Sequence, residues 1–252
     1  MEALEKANNI VAFTGAGMSA ESGVSTFRGQ EGIWSKFKPE ELATMNAFLR
    51  NPTLVWEWYS HRRKIISETR PNAGHRALAK MEMLVSSLAV VTQNIDNLHI
   101  RAGSATVYEL HGNIERSYCV RCGKPEMYPT LPEPGTVPRC TADVNGRPCE
   151  GLIRPDVVWF GEMLPEDQWE LSVKAIHRAD ILFSIGTSSV VYPAASLPHL
   201  AKAAGALIVE INPEDTPLTP EADEFLRGAS GVILPALCDA MALRKGIHHP
   251  QP

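Results

Sequence analysis

The chain has 252 residues, 44% of them hydrophobic and 21% charged, with a formal net charge of −5. That balance belongs to an ordinary globular protein and removes the electrostatic reason for nucleic-acid binding. No apolar run approaches the ~20 residues of a membrane span, and the start, MEALEKANN, has no signal-peptide pattern. A cytoplasmic protein with reduced cysteines is therefore expected.

The first apolar run, NIVAFT, leads straight into Gly15-Ala16-Gly17-Met18-Ser19-Ala20, which fits G-x-G-x-x-A after a strand. Alone this is a weak signal, since any tight turn after a strand can use two glycines. The next segment is a second polar loop ending in Phe27-Arg28 rather than a long amphipathic helix. The acidic residue expected ~20 positions on is not convincing either, because Glu40 and Glu41 lie in PEELA, which reads as helix. An ordinary dehydrogenase half-site does not fit.

Residues 36–68 read as helical, with Asn51 as N-cap and Pro52 as first residue of the helix, ahead of TLVWEWYSHRRKIISE. Tyr59 and Arg62 are three apart and share a helix face. A phenol beside a guanidinium can hold a carboxylate by a bidentate fork plus one hydroxyl donor. Arginines on helices are usually solvated, however, and spacing does not choose between Arg62 and Arg63.

Further on, the helical pattern PNAGHRALAKMEMLVSS precedes the strand LAVVT, which ends in Gln93-Asn94-Ile95-Asp96. An Asx turn is one reading of that segment. The other is a set of polar groups able to read an amide such as nicotinamide. His111 closes the run TVYEL and is followed by a glycine that leaves its ring accessible.

Residues 113–154 are rich in Cys, Pro, Gly and Arg and poor in apolar residues. Cys119 and Cys122 form C-x-x-C, and Cys140 and Cys149 follow with eight residues between them. Four thiolates close a tetrahedral zinc sphere, so a structural ion is expected that folds a core-poor segment. Two disulfides or unrelated thiols are the alternatives, and Cys238 reads as a core residue. The remaining runs, ADILFSIGTSS, GALIVEINPED and GVILPAL, read as strands, and PEDQWELSVKAIHRA as a helix.

Near-continuous Val/Ile/Leu runs alternating with helices predict an α/β fold with a Rossmann-like parallel sheet and helices on both faces. Insertions 36–68 and 113–154 would build a smaller zinc-binding lobe. Residues 1–35, 69–112 and 155–252 would form the large lobe of one catalytic domain.

Taken together, GAGMSAESGVSTFRG, TQNIDNLH, ELHGN, the four cysteines, VVWFGE and GTS…INPED resemble the sirtuin family of NAD-dependent protein deacylases. They occur in the family's order from about Val11 to Met241. The resemblance implies that the second loop closes over the nicotinamide ribose with Phe27 and Arg28, although Ser25-Thr26 departs from the family's usual Pro followed by Asp or Thr. It also implies that the acyl-lysine carbonyl oxygen displaces nicotinamide. His111 then acts as general base on a ribose hydroxyl, with Asn94 beside it. Free lysine, nicotinamide and O-acyl-ADP-ribose would result.

On the same resemblance, Asn94 and Asp96 hold the nicotinamide carboxamide. Gly15, Ala16, Gly17, Glu21, Trp34, Gln93, Ile95, Gly186, Thr187, Ser188, Asn212, Pro213, Glu214 and Ser230 line the NAD site. Phe160-Gly161-Glu162 and Val190-Val191-Tyr192 would pair with the substrate backbone as an added strand, and Val158 and Phe160 would line the acyl-lysine tunnel. The Y-x-x-R of Tyr59 and Arg62 is the mark of class III sirtuins, implying removal of succinyl and malonyl groups as well as acetyl. Acyl-lysine proteins are thus the expected partners of a monomeric enzyme. Deacetylation alone, protein mono-ADP-ribosylation, an NAD(P) oxidoreductase and a non-enzymatic zinc-ribbon module are the competing expectations.

Overall fold

The computed structural model of the protein describes residues 2–26, 38–126 and 135–246. Six strands form one parallel sheet: β1 (Asn9–Thr14), β2 (Ser87–Thr92), β3 (Val107–Glu109), β7 (Ile181–Ile185), β8 (Leu207–Asn212) and β9 (Glu224–Arg227). Their order, β3-β2-β1-β7-β8-β9, is the doubly wound arrangement, in which the direction of winding reverses between β1 and β7.

Alternation along the strands explains why both faces are covered. Ile10, Ala12, Leu88, Val90, Ile181 and Phe183 face one apolar cluster. It also holds Leu78 and Met81 of helix α6 (Ala73–Glu82) and Leu234, Cys238 and Met241 of α10 (Ser230–Arg244). Val11, Phe13, Val91, Leu182 and Ile208 face the opposite cluster, with Ile176 of α8 (Glu166–Ile176) and Leu197 and Ala201 of α9 (Leu197–Ala203). The Rossmann-like sheet with helices on both faces is as expected.

One expectation fails. GVILPAL is not a strand but lies within α10. A short unbroken apolar run has no period of its own, so length must decide between strand and buried helix. Here the run continues through Leu243, and Leu234, Cys238, Met241 and Ala242 recur at helical spacing on the buried face. Conversely, β9 is not evident in the sequence, because Glu224-Phe225-Leu226-Arg227 is a half-exposed edge strand with two apolar residues.

A smaller antiparallel sheet, β5-β4-β6, is built from β4 (Gly112–Cys119), β5 (Pro125–Glu126) and β6 (Ile153–Val157). It shares one core with helices α4 (Met45–Arg50) and α5 (Pro52–Glu68), in which Phe48, Val55, Trp56, Tyr59, Ile114, Ile153 and Trp159 are buried together. Helix α5 begins as expected, with the Asn51 side chain accepting from the Leu54 N–H at 3.1 Å and Pro52 next. Trp56 Nε1 donates to the Ile153 carbonyl at 2.8 Å and ties α5 to β6.

Candidate functional site

In doubly wound sheets ligands sit beyond the carboxyl ends of the strands, where the winding reverses. Here the loops leaving β1 and β7 cross in contact at that point. Gly15 N–H donates to the Ile185 carbonyl at 3.0 Å and Gly17 N–H to the Gly186 carbonyl at 2.8 Å. A Cβ on Gly186, whose φ is +56°, would lie 2.4 Å from the Met18 nitrogen, and one on Gly15 would lie 2.8 Å from the Gly186 oxygen. The glycines of G-x-G are thus required by the loop crossing itself, apart from any ligand.

A cleft of about 670 Å³ opens over this crossing. The cofactor residues expected along it are there: Gly15, Ala16, Gly17 and Glu21 after β1, Gln93, Asn94 and Ile95 after β2, and His111 after β3. Gly186, Thr187 and Ser188 follow β7, Asn212, Pro213 and Glu214 lie at the end of β8, and Ser230 opens α10. Phe27, Arg28 and Trp34 lie outside the described residues. The loops are cross-tied, since Gln93 Nε2 donates to Thr187 Oγ1 at 3.0 Å and Asn212 Nδ2 to the Thr187 carbonyl at 2.9 Å. Glu21 accepts from the Gly231 N–H at 2.6 Å, so its carboxylate caps the start of α10 at the cleft wall.

His111 Nδ1 lies 3.0 Å from the Gln93 carbonyl oxygen. A carbonyl only accepts, so Nδ1 carries the proton and Nε2 is the basic nitrogen. Burial holds the imidazole below its usual range, against the opposing pull of that hydrogen bond, and so keeps it neutral. Asn94 Nδ2 donates to the Gly15 carbonyl at 2.9 Å and to Ser19 Oγ at 3.2 Å, which uses both amide hydrogens and leaves the side-chain oxygen as the group for a ligand.

Asp96 is set apart from the cleft. It lines a satellite cavity of about 10 Å³ with Arg62, Ser19 and Asn94. Its carboxylate accepts from Ser19 Oγ at 2.7 Å and from the Leu98 N–H at 3.0 Å. Burial raises its pKa, while Ser19, the Leu98 N–H, Arg62 and Arg101 act in the opposite direction.

The expected substrate residues divide similarly. Tyr59, Val158, Phe160, Gly161, Glu162, Val191 and Tyr192 line the large cleft, whereas Arg62 lines the satellite cavity and Val190 is an exposed residue beside the cleft. Phe160 and Tyr192 are exposed at the cleft mouth, 46% and 69%. Arg62 and Tyr59 are both buried on the inner face of α5, and Arg62 lies over the Trp58 ring. Arg63 is spent elsewhere: it donates to the Ile114 carbonyl at 2.7 Å and fastens α5 to β4. Packing thus places the two arginines differently, Arg63 against β4 and Arg62 in the satellite cavity.

Ser19 and Trp159 escape a reading of the sequence. Ser19 occupies a variable position of the glycine motif, and only the fold brings it to Asn94 and Asp96. Trp159 sits between two residues assigned to the tunnel, and strand alternation would send it to the opposite side, yet it too borders the cleft.

Cys119, Cys122, Cys140 and Cys149 bring their sulfurs within 4.8 Å of one another. Cys119–Cys149 and Cys122–Cys140 sulfur distances are 3.6 and 3.7 Å. A tetrahedron with Zn–S of ~2.3 Å has edges of about 3.8 Å, so the four thiols fit one structural zinc ion with no position left for water. They are not bonded to one another.

A model of the Sir2 family matches residues 15–193. NAD-dependent protein deacylase 2 of Pyrobaculum aerophilum is 49% identical over 241 residues, covering 96% of this chain and 94% of that protein. The NAD-dependent protein deacylase of Aquifex aeolicus is 49% identical over 238 residues, covering 94% and 97%. Among solved structures, a Sir2 homolog–NAD complex superposes with a TM-score of 0.89 at 42% identity, covering 98% of this chain and 93% of that one. A Sir2–p53 peptide–NAD+ complex does so with 0.80 at 32%, covering 98% and 97%. Fold, cleft and relatives agree, and the chain belongs to the Sir2 family.

Proposed function

We propose that the protein is an NAD-dependent protein-lysine deacylase that removes succinyl and malonyl groups as well as acetyl. The coarser half of this reading is supported by relatives named as NAD-dependent protein deacylases across nearly the whole chain. The observation that carries the chemistry is the hydrogen bond from His111 Nδ1 to the Gln93 carbonyl, which leaves Nε2 basic in the cleft. NAD, when bound, would supply an electrophilic ribose carbon that takes the acyl-lysine carbonyl oxygen as nicotinamide leaves, and a ribose hydroxyl to which the acyl group passes while water releases the lysine.

The chain's own residues do the rest on this reading. His111 removes a proton from a ribose hydroxyl, a task suited to an imidazole kept neutral by burial. Asn94 offers its amide oxygen to the same ribose, and Asp96, held by Ser19 and the Leu98 N–H, fixes the adjoining turn for carboxamide recognition. Gly15 to Gly17 and Gly186 to Ser188 supply the wall for the rest of the dinucleotide. At the mouth, the exposed edges at Phe160-Gly161-Glu162 and Val190-Val191-Tyr192 suit an extended peptide.

For the acyl group, support comes from α5. Tyr59 borders the cleft, Arg62 is buried one turn further on, and Arg63 is engaged with β4. A chain ending in a carboxylate would meet the phenol at the cleft wall, and would reach the guanidinium where the cavity of Arg62 opens to it. The test is NAD-dependent turnover of one lysine peptide bearing either acetyl or succinyl, followed by mass spectrometry. Succinyl removal with O-succinyl-ADP-ribose formed is the expected result. Acetyl removal alone would discard the acid reader, and ADP-ribose attached to protein would replace deacylation with transfer.

A further inference from the structure

We propose that Trp159 is a specificity-positioning residue: its indole N–H, by donating to the Tyr59 oxygen, turns the Tyr59 hydroxyl proton toward the cleft, where it can donate to the carboxylate of an acidic acyl chain. This rests on the acid-reader reading of Tyr59 and Arg62. Trp159 Nε1 lies 2.8 Å from Tyr59 Oη. An indole N–H can only donate, so the phenol oxygen is the acceptor and its own proton must point elsewhere. Among the described residues that hydroxyl meets no other hydrogen-bond partner, and the Tyr59 side chain borders the large cleft. Burial pushes the phenol above its usual range, so the proton stays on the oxygen through neutral pH.

The indole is held so that it cannot turn away. Arg154, wholly buried, lays its guanidinium 3.4 Å from the Trp159 ring centroid. Glu162 fixes both: its Oε2 accepts from Arg154 at 3.0 Å and from the Trp159 backbone N–H at 2.8 Å. Phe48 packs on the ring at 5.4 Å between centroids. Such a clamp is more than packing requires of an apolar ring, but it is what a fixed donor direction requires. Glu162, assigned from the sequence to the substrate edge, turns its carboxylate to this clamp.

The experiment measures kcat/KM for succinyl- and acetyl-lysine peptides in Trp159→Phe, and in a protein carrying 3-benzothienylalanine at position 159. The latter keeps the ring's size and stacking and lacks only the N–H, so it decides the matter even where the phenylalanine variant folds poorly. Each substitution is also made in a Tyr59→Phe background. Losing one orienting hydrogen bond should lower the succinyl-to-acetyl ratio about five- to tenfold, through KM for the succinyl peptide, and should change nothing further once Tyr59 lacks its hydroxyl. An unchanged ratio in the Trp159 proteins overturns the proposal, as does an equal fall in both backgrounds, which would mark mere packing. If Tyr59→Phe lowers the ratio and the Trp159 changes do not, the acid reader survives and this proposal alone fails. If Tyr59→Phe and Arg62→Met both leave the ratio unchanged, the acid-reader reading falls and takes this proposal with it.

Discussion

Replacing Arg62 and Arg63 by methionine, one at a time, tests the proposed acid reader against its scaffold. The two side chains are adjacent in sequence, but the structure gives them different work. Arg63 donates to the Ile114 carbonyl at 2.7 Å and, at 3.3 Å, to the Arg116 carbonyl and Ser117 Oγ. Only the first is short, and a hydrogen bond from a charged donor to a buried acceptor is worth about 1.5–3 kcal/mol. At about 2–4 °C per kcal/mol for a chain of this size, Arg63→Met should lower the melting temperature by roughly 3–12 °C. Arg62 is different. Burial draws its guanidinium pKa down, opposed by Tyr59 and Asp96, so methionine relieves a desolvation penalty but takes a cation from the buried Asp96 carboxylate, and the thermal melt records the net of the two. Losing a buried charged contact to a substrate carboxylate, however, costs about 2–5 kcal/mol. That is a fall of roughly 30- to several-thousand-fold in kcat/KM for the succinyl peptide relative to the acetyl peptide. Peptide turnover by mass spectrometry and a thermal melt on both variants suffice. The reasoning is refuted if Arg62→Met lowers both activities equally, or if Arg63→Met is the variant that shifts the succinyl-to-acetyl ratio.

Three further outcomes are expected of the site and its surroundings. Because burial holds His111 below the usual ~6.5 and the base works unprotonated, the acidic limb of kcat/KM should lie below that value with a slope of one; a limb at or above it would remove His111 from the role. Stripping zinc with a chelator should release one ion per chain and unfold the smaller sheet with α5, so a protein that melts unchanged after stripping would contradict a structural role for the four cysteines. His75 is wholly buried with its pKa lowered from 6.5 to about 4, chiefly by desolvation. The unfolded chain therefore binds the extra proton in that window. Stability is fully present above pH 6.5 and declines as pH falls toward 4, by up to about 3 kcal/mol from this group. Urea unfolding at pH 7 and pH 4.5 should show that loss in the native protein and less of it in His75→Gln.

The parallel sheet is legible because its strands are buried on both faces and so read as unbroken apolar runs. That same property misleads at the C-terminal end, where GVILPAL has the strand's composition but sits in the helix Ser230–Arg244. The residues of the cleft that end strands, such as Gly15, Asn94, His111 and Gly186, are readable from position alone. Ser19 is not, since its partners Asp96 and Asn94 lie 77 and 75 residues away and only the crossing of loops joins them. The two arginines show the same limit. Adjacent helix positions differ by about 100° around the axis, but which of those directions meets a carbonyl of β4 is a property of the packed sheet.

The way α5 is held bears on how one cleft would combine NAD with the proposed acyl preference. Among the described residues five bonds fix the helix against the smaller sheet and its outgoing loop: Trp56 to the Ile153 carbonyl, Arg63 to the Ile114 and Arg116 carbonyls and to Ser117 Oγ, and Tyr59 from Trp159. None of these engages the strands of the large sheet. The four cysteines brace the same small sheet, with Cys119 ending β4 and Cys149 lying shortly before β6. His111 bridges the two parts, since it follows β3 of the large sheet and immediately precedes β4 of the small one. Side chains on α5 other than Arg62 and Ile66, which border Ala16, Ser19 and Asn94, can therefore change without disturbing the loop crossing of Gly15, Gly17 and Gly186. On this reading the dinucleotide wall is set by backbone contacts that tolerate almost no substitution, and the acyl preference by side chains on a separately braced helix. Loss of the metal should accordingly loosen acyl selection along with the fold of the small sheet, while the parallel sheet retains its own two cores.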